Sequence, residues 1–180
     1  SNEAEVMVIN VDHADVGSPV YAALLAQQLQ RLVQWNHDRN EERWVREGLA
    51  ELAATLSGYD ATETESEWVY LKNSDTPLTQ WTAEKSQRQA AYLFAMYFHQ
   101  RFGDEGTQIL TSEPANGIRG IEAALENLDP DLTFNDLFGD WLAANYLDSS
   151  SETDGSYLSY AVLELPAPPP AAVLETYPVN

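Results

Sequence analysis

The stretch LLAQQLQRLVQWNHDRNEERWVREGLAELAATLSGY, residues 24–59, decides the fold. Apolar residues recur through it at helical spacing, and the polar segment NHDRN (36–40) interrupts them. Gly58 stands where a left-handed residue would end a helix. The sequence therefore predicts two helices joined by a short polar break, one over residues 18–35 and one over residues 41–57.

Helical patterns continue outward from this pair to about residue 147. We predict further helices over residues 79–102, 105–111, 117–128 and 133–147. The segment AAYLFAMYF (90–98) is apolar on every side, which is typical of a central buried helix. Thr133 and Asp136 have the spacing of a capping box, in which a hydroxyl and an acid cap a helix reciprocally.

Extended segments are predicted at both ends of the chain. EVMVINV (5–11) has the composition of one short strand, and residues 157–165 alternate like another. The run PAPPP (166–170) predicts a stiff linker. The expected organisation is a mainly α domain over residues 1–148, followed by an extended tail over residues 149–180 that leads to a further domain.

Composition narrows the classes of partner. Acidic residues outnumber basic ones 29 to 9, which gives a formal charge of −20. Such a surface repels phosphate backbones and anionic lipid, so we expect neither nucleic acid nor a membrane surface as partner. The longest apolar run is far shorter than the roughly 20 residues of a membrane span, so no membrane insertion is expected. The chain has no cysteine, which excludes disulfides, thiolate zinc sites and cysteine nucleophiles.

The helix pair resembles the core of the gluzincin zinc metallopeptidases, and is most similar to the hyicolysin-like bacterial enzymes. Its second helix carries W-x-x-E-G-x-x-E at residues 44–51. In that family the first helix carries H-E-x-x-H and the second a glutamate in an N-E-G-x-x-E-like context. The resemblance covers roughly residues 5–148 and implies a mainly α fold like the helical lower subdomain of those enzymes. Their β-rich upper half has no counterpart here beyond the predicted strand.

The resemblance assigns a role to each position of the site. Gln27 falls on the first zinc-binding histidine, Gln28 on the catalytic glutamate and Arg31 on the second histidine. Glu47 matches the glutamate that is the third zinc ligand, and Glu51 matches the second acid of that motif. These five residues are the predicted vestigial active-site positions.

The replacements remove the chemistry of the family. A glutamine carbonyl at position 27 is a weak zinc ligand, and Arg31 offers no lone pair. Gln28 cannot accept a proton as a carboxylate does. The resemblance therefore implies no catalytic residue, no bound metal and no cofactor.

The expected function is that of a pseudopeptidase domain, which binds a peptide or protein or acts as a scaffold for neighbouring domains of a longer parent chain. The resemblance implies a bacterial parent that is secreted or attached to the cell surface. The alternative is an active zinc metallopeptidase with an atypical ligand set.

A simpler interpretation treats the five positions as solvated surface. On a helical wheel, Leu25, Leu29 and Leu32 form an apolar stripe, with Gln27 and Arg31 largely opposite. Glu47 and Glu51 would then be an exposed acidic face of the second helix.

The vestigial-site hypothesis predicts a different geometry. Arg31 should form a salt bridge with Glu47, either alone or with Glu51 as a third member, and Gln27 should hydrogen-bond nearby. The guanidinium would then link the two helices where zinc links them in the enzymes.

The histidines do not suggest a metal site. His13, His37 and His99 lie in a predicted loop, the interhelix break and a helix end. We expect His37 to lie at the ends of the helix pair and His99 to be a hydrogen-bonded boundary residue.

Overall fold

The computed structural model describes residues 6–10, 12, 14–59, 68–147, 160, 163, 165 and 166. Within these residues the fold is mainly α, as predicted, and contains no strand. The helices are α1 (Pro19–His37), α2 (Arg43–Leu56), α3 (Val69–Lys72), α4 (Lys85–Ser112), α5 (Ile118–Leu128) and α6 (Phe134–Leu147).

The predicted helix ends are confirmed at three places. The Ser18 hydroxyl accepts the backbone N–H of Tyr21 at 3.1 Å and so caps α1. Gly58 has a φ of 78° just after α2, a conformation that residues with a Cβ rarely adopt. At α6, the hydroxyl of Thr133 accepts the N–H of Asp136 and the Asp136 carboxylate accepts the N–H of Thr133, each at 3.2 Å.

Helix α4 forms the centre of the core. Every residue over positions 90–98 is buried, as the apolar run predicts. Gly103 has a φ of 67° and interrupts the helical geometry. The predicted stop at Gly103 is therefore a kink within α4. The next predicted helix, over residues 105–111, is the part of α4 that follows the kink.

The start of α4 differs from the prediction, because the helix begins at Lys85 and not at residue 79. The side chain of Gln87 holds the preceding residues in a loop. Its amide nitrogen donates to the carbonyls of Pro77 and Gln80, and its oxygen accepts the N–H of Thr82 at 2.5 Å. These local hydrogen bonds compete with a helical path.

Helix α2 packs against both α1 and α4. A Cβ built on Gly48 would lie 2.4 Å from the backbone oxygen of Ala91, so only glycine permits this approach of α2 to α4. The glycine of the W-x-x-E-G-x-x-E motif is therefore a packing residue between α2 and α4.

The prediction of a strand over residues 5–11 is wrong for residues 6–10. A strand requires a hydrogen-bonded neighbour, and no described residue pairs with this segment. Glu5 and Val11 lie outside the described residues. So does most of the second predicted strand, residues 157–165, of which Tyr160 and Leu163 are described and are not in a strand.

Part of the predicted tail contacts the helical core. Tyr160 is buried, and its hydroxyl donates to the Asn145 side-chain oxygen at 2.8 Å. Leu163 and Leu165 also pack against the core. The division of the chain at residue 148 stays a prediction, and the linker at 166–170 lies almost wholly outside the described residues.

Candidate functional site

The face of α1 that packs against the other helices is polar. Gln27 is only 9% exposed, whereas Leu29 is 52% exposed. The simpler interpretation is therefore wrong on both counts, since it predicted a buried Leu29 and a solvated Gln27. The hydrophobic pattern of α1 did not determine which face turns inward.

An ion pair joins α1 to α2 at the second and third of the predicted ligand positions. The Arg31 Nη2 atom lies 2.7 Å from the Glu47 Oε2 atom. The two side chains are 21% and 16% exposed, so water reaches the pair only in part. This contact confirms the predicted Arg31–Glu47 salt bridge.

A second polar contact lies one helical turn away. The Gln27 side-chain amide donates to the Glu51 Oε2 atom at 2.9 Å, and this hydrogen bond is buried. Among the described carboxylates, Glu47 alone forms a salt bridge with Arg31, so of the two arrangements left open the pair without Glu51 is the one present. Burial raises the pKa of Glu51, and the nearby Arg31 guanidinium acts against this rise.

These two contacts explain why α1 turns its polar face inward. Glu47 and Glu51 are spaced at i and i+4 on α2, and Gln27 and Arg31 have the same spacing on α1. Two carboxylates that are shielded from water need hydrogen-bond donors. Gln27 and Arg31 supply these donors, which leucines at the same positions could not do.

Gln28 lies apart from these contacts and lines an adjacent pocket of about 780 Å³. Residues 6–8 line the pocket, and so do Arg31 and Glu47. Helix α1 contributes Leu32 and Trp35. The five predicted positions therefore fall into two groups, because Gln27 and Glu51 are buried between the helices and the other three line the pocket.

The described residues offer few groups that could bind a metal ion. In the part of the chain that the structure describes, no group of three or more His, Asp or Glu residues is placed to hold a metal ion. His99 contacts the Thr107 hydroxyl through Nδ1 at 3.0 Å, as expected for a hydrogen-bonded boundary residue. His37 is exposed at the end of α1, and His13 lies outside the described residues.

Sequence reasoning missed a buried carboxylate in the connection between α1 and α2. Glu41 is 4% exposed, and its Oε1 atom accepts the N–H of Gly117 at 2.8 Å and that of Glu42 at 2.5 Å. The Oε2 atom has no hydrogen-bond partner among the described residues. Burial raises the pKa of Glu41 to about 6. A glutamate in a polar interhelix segment gives no sequence signal of such burial.

Sequence reasoning also missed a cluster of cations at the pocket. Arg39, in the α1–α2 connection, and Arg46, in the first turns of α2, both line it together with Arg31. The Arg39 guanidinium lies over the Trp35 ring, 5.5 Å from its centroid. The i, i+4 spacing of Trp35 and Arg39 was the available signal for this contact.

Comparison with protein-family models, with curated proteins and with solved structures yields no match. No described helix is both long enough and apolar enough to cross a membrane.

Proposed function

We propose that this chain is a catalytically inactive, metallopeptidase-like domain that binds a peptide or protein segment in the pocket beside α1. The observation that carries the proposal is the Arg31–Glu47 ion pair. It joins two positions that the resemblance assigns to zinc ligands. On that resemblance, the Arg31 guanidinium takes the role that the metal has in the enzymes.

The loss of catalysis follows from the chemistry of these side chains. Catalytic zinc requires three protein ligands and an open position for water. Arg31 cannot ligate zinc, and its charge opposes a second cation beside Glu47. Gln28 cannot serve as the general base. The Gln27 side-chain amide donates to Glu51 and so belongs to a hydrogen bond between the two helices.

The pocket supports a binding role. Its volume lies within the range of roughly 300–1,000 Å³ that is typical of ligand sites. Val6, Met7 and Val8 are exposed along one wall, and Trp35 is 50% exposed on another. Five apolar side chains line the pocket beside four charged ones, a mixture that suits a peptide segment carrying both kinds of residue.

Two measurements on the purified chain test this proposal. Elemental analysis after incubation with zinc should give far less than one zinc per chain, and casein should remain uncleaved. Titration with short peptides of defined sequence should quench or shift tryptophan fluorescence. The Trp35→Phe variant should lose most of this signal, while Trp81→Phe, outside the pocket, should retain it. Stoichiometric zinc with chelator-sensitive cleavage of casein would instead establish an active metallopeptidase.

A further inference from the structure

We infer that the pocket recognises acidic side chains of its peptide, and that Arg39 and Arg46 are the residues that bind these carboxylates. This inference rests on the proposed function and adds to it the chemical class of the ligand. The occupant is an internal peptide segment in which one or two Asp or Glu residues stand beside apolar residues.

The charged residues that line the pocket favour an acidic ligand. The chain has nine Lys and Arg residues against 29 acids, yet Arg31, Arg39 and Arg46 all line this one pocket. Glu47 is its only lining carboxylate among the described residues, and Arg31 already neutralises that charge. The pocket is therefore a cationic region on a strongly anionic protein.

Arg39 and Arg46 are available for a ligand. Neither forms an ion pair with any carboxylate in the described part of the chain, although acids outnumber bases threefold. Arg39 is exposed and Arg46 is partly buried. A guanidinium presents donors in a fixed planar fork that matches the two oxygens of a carboxylate.

The apolar walls define the rest of the ligand. Leu32 and the exposed ring of Trp35 lie on α1, between Arg31 and Arg39 in the sequence, and Val6 to Val8 line the pocket as well. Apolar residues that flank an acidic one can bury surface against these walls while the carboxylate reaches an arginine. The Trp35 ring also holds Arg39 in place through the cation–π contact.

The net charge of −20 argues against a long polyanion as ligand. A nucleic acid carries a charge on every nucleotide and would extend beyond the pocket onto repelling acidic surface. A short segment with one or two carboxylates places its charge only beside the arginines. Charge complementarity therefore favours the acidic peptide.

The test compares matched peptides on the intact chain by titration calorimetry. The acidic probe is acetyl-Leu-Glu-Leu-Asp-Leu-amide, and its neutral control has Gln and Asn in place of Glu and Asp. We expect the acidic peptide to bind at least tenfold more tightly than the neutral one at low salt. The preference should shrink as salt screens the charges.

Variants assign the preference to the two arginines. Arg39→Gln with Arg46→Gln should abolish the tenfold preference. The control, Arg43→Gln with Arg119→Gln, changes the net charge equally at exposed residues outside the pocket and should preserve it. A preference that survives in the Arg39/Arg46 variant would overturn the assignment, and so would an equal loss of preference in the control.

The outcomes separate this inference from the proposed function. Equal affinity for both peptides would overturn the inference while supporting peptide binding. Binding of neither peptide would count against both. Two further results would overturn the choice of ligand. One is tighter binding of a hexathymidine oligonucleotide than of the acidic peptide. The other is binding of the neutral peptide only when its C-terminus is a free carboxylate.

Discussion

Arg31 on α1 and Glu47 on α2 form an ion pair of 2.7 Å that links the two helices beside the pocket. The pair lies one turn from the hydrogen bond between Gln27 and Glu51. Together the two contacts determine which face of α1 is buried. These polar contacts hold α1 against α2.

Replacement of Arg31 by Ala should destabilise the fold. The change leaves Glu47 partly shielded from water without its donor, so we expect a loss of about 1–3 kcal/mol in the free energy of unfolding. Urea denaturation measures this loss. Arg119→Ala, an exposed control on α5, should change stability by less than about 0.5 kcal/mol. Equal effects for the two variants would show that the ion pair contributes nothing beyond a surface charge.

Two glycines in helices should respond to Ala in opposite directions. In Gly48→Ala the new methyl group would meet the Ala91 backbone oxygen at 2.4 Å, and relief of this clash should cost about 1–3 kcal/mol. Nothing lies within 4 Å of a Cβ on Gly139 in α6. Gly139→Ala should therefore stabilise by about 0.5–1 kcal/mol, because Ala favours the helix. Thermal unfolding of both variants checks the sign, and a stabilised Gly48→Ala would contradict the close packing of α2 on α4.

Glu41 should make stability depend on pH. Burial raises its pKa from 4.5 to about 6, so the folded chain holds this proton more tightly than the unfolded chain. The contribution of Glu41 to stability is greatest below the unfolded pKa and falls as pH rises through the folded pKa. At about 1.4 kcal/mol per pKa unit, the whole loss, from well below pH 4.5 to well above pH 6, is of the order of 2 kcal/mol.

The Glu41→Gln variant isolates this effect from the other titrating groups. The free energy of unfolding of the variant minus that of the wild type should rise as pH increases from 4 to 7. Glu126→Gln, at an exposed glutamate on α5, is the matched control and should show no such rise. A difference for Glu41→Gln that stays flat over this range would refute the raised pKa.

Helix ends and the buried helix could be predicted from the sequence, whereas the inward face of α1 could not. Gly58 and the Thr133–Asp136 pair determine helix ends through backbone geometry and short-range hydrogen bonds, so sequence alone located them. The run at 90–98 was predicted to be buried because no face of it is polar. The inward face of α1 could not be read from hydrophobicity, since Gln27 is buried against a carboxylate of α2 while Leu29 is exposed.

The site was predictable only in part for a related reason. The Arg31–Glu47 contact follows from the spacing of two motifs on consecutive helices, which the resemblance supplied. Burial of Glu41 depends on a contact across the fold with Gly117, and Arg46 lines the pocket together with residues 6–8, which are distant in the sequence. Contacts between distant segments leave no periodic pattern in a single sequence.

The most direct test of the central claim restores the metal ligands. The triple variant Gln27→His, Gln28→Glu, Arg31→His recreates H-E-x-x-H opposite Glu47, and we predict that it binds one zinc per chain in a calorimetric titration. Adding Glu47→Gln to the triple variant, as a control, should weaken this binding by at least tenfold because it removes the third ligand. The wild type should show no stoichiometric binding. A triple variant that keeps the wild-type helical content, measured by circular dichroism, yet fails to bind zinc would contradict the claim that α1 and α2 form a vestigial metallopeptidase site.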